Sequence, residues 1–381
     1  GMSCILMHRE MDHPQPYTPP EWAYKFPTDS DMPQAHHGVN TNFWWVELGG
    51  MGDCIHDTDD LRDELLKIAF GVWDHMKNYG NHGCENWTLD WVGFLPGKRE
   101  SRRYRGDYVV NQNDVEAGGQ FEDTVAYAGW TMDDHFPEGF YYRGGHPTIY
   151  HPAPTPWGLP YRCLYSVNIP NLYFAGRNIS VTHTALSSSR VMGTCAILGQ
   201  AVGTAVALAV QSGADNPRDV DVKKLQDALL WDDCMLPGFP RIPSEITKQA
   251  KTDYPMLKDG CDRDNPAEVL LGTVLSYEWD APVFVEEVRF IFDSDLNRRK
   301  DNMPYNYPLN QPLYHLPETL VKEYKLIAVN ESGREIILAD ETKNRARMVR
   351  KTVNMNCRAV RLIPIATWGK ETAAVFTLDV K

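Results

Sequence analysis

The sequence predicts a chain of mixed class: an α+β or α/β part over residues 1–240, a linker over 241–265, and an antiparallel β-sandwich over 266–381. Three observations predict this. Leu61, Leu65, Ile68, Ala69, Val72 and Trp73 recur at three- and four-residue spacing, the period of an amphipathic helix. Asn171–Ser180, "NLYFAGRNIS", reads as a short buried strand stopped at Gly176, followed by a turn and a Gly/Ala-rich helix from about Ser189 to Gln211. From about Leu270 onward, apolar and polar residues alternate between turn signals, the period of half-buried strands.

Taken in order, residues 8–36 are rich in proline, which denies them a helix interior or a central strand, so they read as an extended wrap or a frayed end. "NTNFWWVELGG" reads as a strand stopped by Gly49 and Gly50. The amphipathic helix starts at Asp57 or Thr58 and runs to about Lys77, with Asp59, Asp60, Asp63 and Glu64 at its positive end. Residues 80–110 carry short strands and turns, and Val115–Gly118 and Phe121–Ala128 have helical content. Residues 137–160 imply a structured loop, "YRCLYSV" reads as a strand, and Val222–Leu230 as a polar helix. On the long helix Cys195, Gly199, Gly203 and Ala207 are spaced by four. Glycine inside a helix costs about 1 kcal/mol relative to alanine, so this stripe suggests close approach to a sheet or a ligand, or plain helix–sheet packing.

The bulk numbers bound the partners. A net charge of −13 argues against nucleic acid as the main partner, since phosphate binding needs clustered cations. The one dense basic run, Lys98–Arg105, also reads as a solvated or ion-paired surface. None of the eight cysteines forms a C-x-x-C pair, and no ligand spacing indicates a metal site. Val191–Val210 has the length of a membrane span, but Thr194, Gln200, Thr204 and the glycines argue against insertion. Gly1 ahead of Met2 reads as a scar of tag removal, and the first residues are too few for a signal peptide, leaving the compartment open between cytoplasm and periplasm.

A strand, a tight turn and a helix N-terminus are the usual parts of an α/β cofactor crevice. "NLYFAGRNISVTHTALSSSRVMGTCAILGQAVGTAVALA", preceded in order by "PGKRESRRYRGDYVV", "GWTMDDHFPEG" and "LPYRCLYS", resembles the FAD-dependent oxidoreductase family, over about residues 17–235. The resemblance implies an incomplete Rossmann-like FAD-binding domain joined to a substrate part. In the family an N-terminal βαβ unit with G-x-G-x-x-G takes the pyrophosphate, and the later strand-turn-helix covers the flavin end. Only the second piece is found here. The nearest glycine run, "GGMGDC" at Gly49–Cys54, has the wrong spacing and reads as a turn. The expectation is that the dinucleotide-binding half is missing or separate, or that the chain self-associates across the uncovered face.

By that resemblance FAD is the cofactor, and Ala175, Gly176, Arg177, Asn178, Ser180, Gly199, Gln200 and Gly203 are its candidate contacts. His183, placed in the turn before the helix, is a candidate general acid or base, or a histidine satisfied by local backbone. Arg190 can pair with a substrate carboxylate or an internal acid. Glu100, Arg102 and Arg103 form a charged cluster; on a strand Glu100 and Arg102 would share a face. His135, with Asp133 and Asp134, is a second acid/base candidate, and Arg162 can anchor an anion.

The C-terminal pattern, with "VRLIPIATWG", is similar to galactose-binding-like, discoidin-like modules; Trp368 is there a sugar-stacking platform or a core aromatic, and carbohydrate a possible partner. Two functional readings stand: a flavoprotein oxidoreductase lacking its pyrophosphate half, and a non-catalytic scaffold that binds glycans or a partner.

Overall fold

The computed structural model describes residues 1–39, 41–296 and 316–381. The described residues form two compact units, the first spanning Gly1–Leu229 with Met235–Pro237, the second Leu230–Cys234 with residues 238–296 and 316–381.

In the first unit the strands are short and paired antiparallel. β1 (Met2–Ser3), β3 (Glu47–Leu48) and β5 (Gly97–Lys98) form one sheet in the order β3-β1-β5, and β2 (Leu6–Glu10) pairs with β4 (Trp87–Val92). They pack on α1 (Thr58–Asn78), whose Leu65, Ile68, Val72 and Trp73 are buried against Met2, Phe43, Trp45 and Phe140. The proline-rich segment wraps this helix. Tyr24 N–H donates to Lys67 O at 3.1 Å, and the crossing requires Gly71: a Cβ there would stand 2.4 Å from Tyr24 O. A second group contains α2 (Gln112–Glu116), the pair β6 (Thr124–Ala128) with β9 (Trp157–Pro160), and the pair β7 (Met132–His135) with β8 (Thr148–His151). α3 (His183–Ser189), α4 (Met192–Ser212) and α5 (Val222–Trp231) follow.

Several local readings change. Phe121–Ala128 is not helical: Thr124 and Val125 favour the pleat, and the segment pairs with Trp157–Pro160 as β6. "YRCLYSV" forms a 3-10 turn at Tyr161–Cys163, and "NLYFA" keeps a single antiparallel bridge, Tyr165 with Tyr173, flanked by Phe174 N–H to Leu164 O and Ser166 N–H to Leu172 O, both at 2.9 Å. The long helix expected from about Ser189 forms as α4, and an additional short helix, α3, occupies the expected turn before it. His183 is therefore the first residue of α3 rather than a turn residue, and the chain breaks at Arg190–Val191, where Val191 takes extended backbone (φ −67°, ψ 148°).

The second unit is a six-stranded antiparallel sheet in the order β10-β15-β11-β14-β12-β13, formed by Ala267–Leu270, Leu275–Phe292 (β11), Val321–Asn330 (β12), Glu335–Glu341 (β13), Met348–Thr367 (β14) and Thr372–Val380 (β15). The two long strands make it a sandwich. β11 and β14 pair along their length, with register shifts between Glu278/Val283 and Val285/Glu287 where the ladder bends. Beyond the bend one half carries β15 and β10, the other β12 and β13. Both layers bury one core that includes Phe290, Phe292, Leu326, Leu362, Val375 and Leu378. Residues 241–265 are built into this unit: α6 (Glu245–Gln249) caps it, Arg241 bonds Asp379 and Asp262, and Arg289 donates to Asp262 at 2.7 Å.

Candidate active site

The first unit holds an open cleft of about 500 Å³ whose wall includes Glu47, Glu100, His135 and His183, and the same four residues line a small adjoining pocket of about 40 Å³ together with Arg99 and Arg190. These residues come from β3, the segment after β5, β7 and α3. The turn expected to face a cofactor is stapled to the same wall. Arg177 donates to Lys98 O, and Tyr104 N–H donates to Asn178 O at 2.9 Å, so Gly176–Asn178 and Arg99–Glu100 are held side by side.

Two linked pairs organise the cleft. In the first, His183 Nδ1 lies 2.5 Å from Glu100 Oε2, and Arg103 lies 3.2 Å from Glu100 Oε1. The carboxylate can only accept, so Nδ1 carries the proton and Nε2 is left as the free nitrogen of a ring that lines the cleft. The bond to Glu100 outweighs the desolvation of His183 and raises its pKa. Burial alone would raise the Glu100 carboxyl, but His183 and Arg103 hold it below the usual carboxylate range.

In the second, the buried Glu47 accepts from His135 Nδ1 at 2.7 Å and is paired with Arg99. Arg190 Nη2 lies 3.3 Å from His135 Nε2. A guanidinium can only donate, so His135 is placed as the Nδ1–H tautomer with Nε2 accepting. Burial pushes the Glu47 carboxyl up, yet His135 and Arg99 bring it down to about 2. Arg99 is further fixed by Ser3 Oγ (2.6 Å) and Trp44 O (2.9 Å). Burial and the like charge of Arg99 lower the pKa of Arg190, whose guanidinium faces the cleft with donors that His135 does not use.

The expected site residues separate into those brought together and those left outside. Glu100, His135, His183 and Arg190 share the cleft; Arg103 braces Glu100 from behind. Arg102 is exposed and is not part of the lining, because Glu100–Arg103 leaves the strand after Lys98 and alternation no longer applies. Arg162 is committed to a two-pronged bond with Asp123, at 3.0 and 3.1 Å. Gly199, Gln200 and Gly203 lie on the exposed face of α4, and a Cβ at either glycine would meet nothing within 4 Å. Trp368 donates to Asn344 O at 2.8 Å and packs on the sandwich core, as a rim aromatic. Glu47 is the residue that sequence reasoning missed. It sits in an apolar "FWWVELGG" run, and a lone acid closing such a run was the available signal.

The turn fits the ring end of a flavin in two respects. Gly176 has φ +96°, a left-handed backbone that leaves an open approach, and the buried hydroxyls of Ser180 and Thr182 beside it have no hydrogen-bond partner. A pyrophosphate cradle is not found among the described residues. In the Gly49–Cys54 turn the amides of Ile55 and His56 are taken by the Asp53 carboxylate, at 2.8 and 3.1 Å, which would repel a phosphate.

Comparison with known proteins adds the following. The solved structures include the family 32 carbohydrate-binding module of C. perfringens NanJ in complex with galactose, with 15% identity over 36% of this chain and 96% of that one, TM-score 0.26. They also include chitosan-binding module 1 of a Paenibacillus sp. IK-5 chitosanase/glucanase (11%, 35% and 92%, TM-score 0.25) and a two-domain protein of unknown function from Bacteroides fragilis NCTC 9343 (12%, 37% and 42%, TM-score 0.26). No curated protein matches. A family model described as FAD dependent oxidoreductase matches residues 6–229, which is more than half of the chain and takes in Glu47, Glu100, His135, His183 and Arg190 together with the Gly176 turn. By that match, the protein belongs to the FAD dependent oxidoreductase family.

Proposed function

We propose that the first unit carries the substrate cleft and the ring end of the flavin site of an oxidoreductase that dehydrogenates a small carboxylate-bearing alcohol or amine. The observation that carries this reading is the convergence of Glu47, Glu100, His135, His183 and Arg190, from positions far apart in sequence, on one cleft stapled to the Gly176 turn. FAD is the proposed cofactor. Gly176 and Arg177 supply backbone approach and a polar rim, and Ser180 and Thr182 supply the unpaired hydroxyls. When bound, the flavin supplies the two-electron acceptor that no side chain can provide.

The protein's own work is binding and proton transfer. Arg190 and Arg99 give the inner cleft a positive potential suited to a carboxylate, and Arg190 has donors to spare. Glu47 keeps His135 oriented so that Arg190 is held toward the cleft. His183 Nε2 is the proton acceptor from the substrate hydroxyl or ammonium, and Glu100 orients it and strengthens its basicity. The proton stays on the imidazole, stabilised by the Glu100 carboxylate, until it exchanges with solvent at the cleft mouth.

The pyrophosphate-binding piece is proposed to come from outside these 381 residues, or from another chain, laid over the exposed apolar face of α4. Met192 and Val210 at the two ends of that face are 89% and 77% exposed, which is unusual for a helix of this apolarity.

The test is a panel of 2-hydroxy and 2-amino acids, assayed with FAD and an artificial electron acceptor. Turnover should require the carboxylate. His183→Asn should lower kcat by about two orders of magnitude, and Arg190→Gln should mainly raise KM. Equal turnover on decarboxylated analogues would overturn the substrate assignment.

A further inference from the structure

Away from the cleft, in the same unit, Asp29, His37, His75 and His82 bring one ligand atom each within 4.8 Å of one another. His75 lies in the last turn of α1 and is almost wholly buried, while Asp29 and His37 come from the proline-rich segment and His82 from the loop after the helix. The separations are those of a coordination shell. His75 Nε2 stands 3.0 Å from Asp29 Oδ1 and 3.1 Å from His82 Nε2, and His37 Nε2 stands 3.4 Å from Asp29 Oδ1. Four ligands at the usual zinc distances of about 2.0–2.2 Å define a tetrahedron with edges of about 3.3–3.6 Å. The wider pairs close by side-chain adjustment of Asp29, which is at the surface, and of His82.

Hydrogen-bond accounting asks for a cation at the centre. His75 Nδ1 lies 2.6 Å from Phe26 O, and His37 Nδ1 lies 3.0 Å from Ala35 O. A carbonyl only accepts, so both Nδ1 atoms carry the proton and both Nε2 atoms of the neutral rings turn lone pairs toward a carboxylate. With both rings neutral, acceptors face acceptors and repel; a proton on a ring or a metal at the centre relieves this, and only a metal also takes up the His82 nitrogen and the carboxylate together. The same two bonds are the outer shell that orients metal-ligating histidines. The C-terminal end of α1 adds a negative potential.

We propose that Asp29, His37, His75 and His82 form a structural site for a divalent cation of the zinc class. Three imidazoles and one carboxylate suit zinc, and four protein ligands close the shell as in structural rather than catalytic sites. The metal would clamp the irregular segment around residues 26–37 to the end of α1, where otherwise few regular backbone bonds hold it. Sequence spacing could not reveal it: the ligands span 29 to 82 in no recognised pattern, and only the wrap over α1 brings them together.

The test uses the full chain stripped with chelator and titrated with cobalt(II) alone. One cobalt per chain with the strong visible bands of tetrahedral cobalt, displaced by zinc, is the expected result. Asp29→Asn should weaken uptake by about tenfold or more, and His82→Ala should abolish the bands, while His56→Ala, outside the cluster, should leave them unchanged. Chelator should lower the melting temperature of the native chain and not that of His82→Ala. Uptake without tetrahedral bands, bands that survive His82→Ala, or a histidine cluster that titrates as an imidazolium with no metal taken up would each overturn the site.

Discussion

At the scale of single residues, the cleft rests on two carboxylates with different tasks. Glu100 is partly buried and makes His183 a better base. His183, raised above its ordinary value by Glu100, carries its proton to higher pH than a free histidine, so the pair's stabilisation is fully present from above the ordinary carboxylate range to about pH 6.5; it fades as pH rises through the raised histidine pKa and as acid protonates Glu100. An NMR titration of His183 should give a midpoint above 6.5 in the native chain and a lower one in Glu100→Gln. An unchanged midpoint would separate the two groups. Glu47 is buried, and its depressed pKa works the other way: its contribution is present above the unfolded value near 4.5 and is lost as pH falls toward about 2. Glu47→Gln should cost on the order of 3 kcal/mol at pH 7, read from urea unfolding, and the gap to the native chain should shrink below pH 4.5. His183, Arg190 and Glu100 were legible in the sequence because they are polar residues flanking a glycine turn and a basic run. Glu47 was not, because its partners Arg99 and His135 lie some fifty and ninety residues away and only folding introduces them.

At the scale of elements, periodicity read α1 and α5 closely and misread the segments where tertiary pairing decides. Thr124–Ala128 looked helical by spacing but found a strand partner in Trp157–Pro160. The short helix α3 was hidden because Thr184 and Ser187–Ser189 read as a polar turn; it ends ahead of the extended Val191, and α4 follows where the long helix was expected. The glycines of α4 offer a direct test. Because a Cβ at Gly199 or Gly203 meets open space, alanine at either should stabilise the isolated chain by about 0.5–1 kcal/mol, measured by thermal or urea unfolding. A loss of stability would mean that the α4 face is already covered, for instance by a second copy. If the proposed pyrophosphate-binding piece docks there, the same alanines should weaken its association while leaving the chain alone more stable.

At the scale of the whole molecule, the sandwich was legible because alternation marks several of its strands, most plainly Ala267–Leu270 and the middle of β14. Its bend was not, since "RMVRKTVN" and "CRAVRLIPIATWG" read as two strands and fold as one. The segment 241–265 looked like a linker by its prolines, yet carries Arg241 into a buried network with Asp379, Asp262 and Arg289. Arg289 and Asp379 are fully buried. Asp379→Ala would leave the buried Arg241 and Arg289 sharing the single carboxylate of Asp262 and should destabilise the second unit by about 3–5 kcal/mol in urea unfolding. The central claim concerns the first unit, that it holds the ring end of a flavin site beside a basic, histidine-bearing cleft. The measurement that bears on it most directly is FAD titrated into the purified full chain, followed by flavin absorbance and fluorescence. Saturable binding with a perturbed flavin band, weakened by Gly176→Val and restored in strength by a βαβ-bearing partner, is the expected result. A folded chain that leaves the flavin spectrum unchanged at every FAD concentration, with or without such a partner, would contradict it.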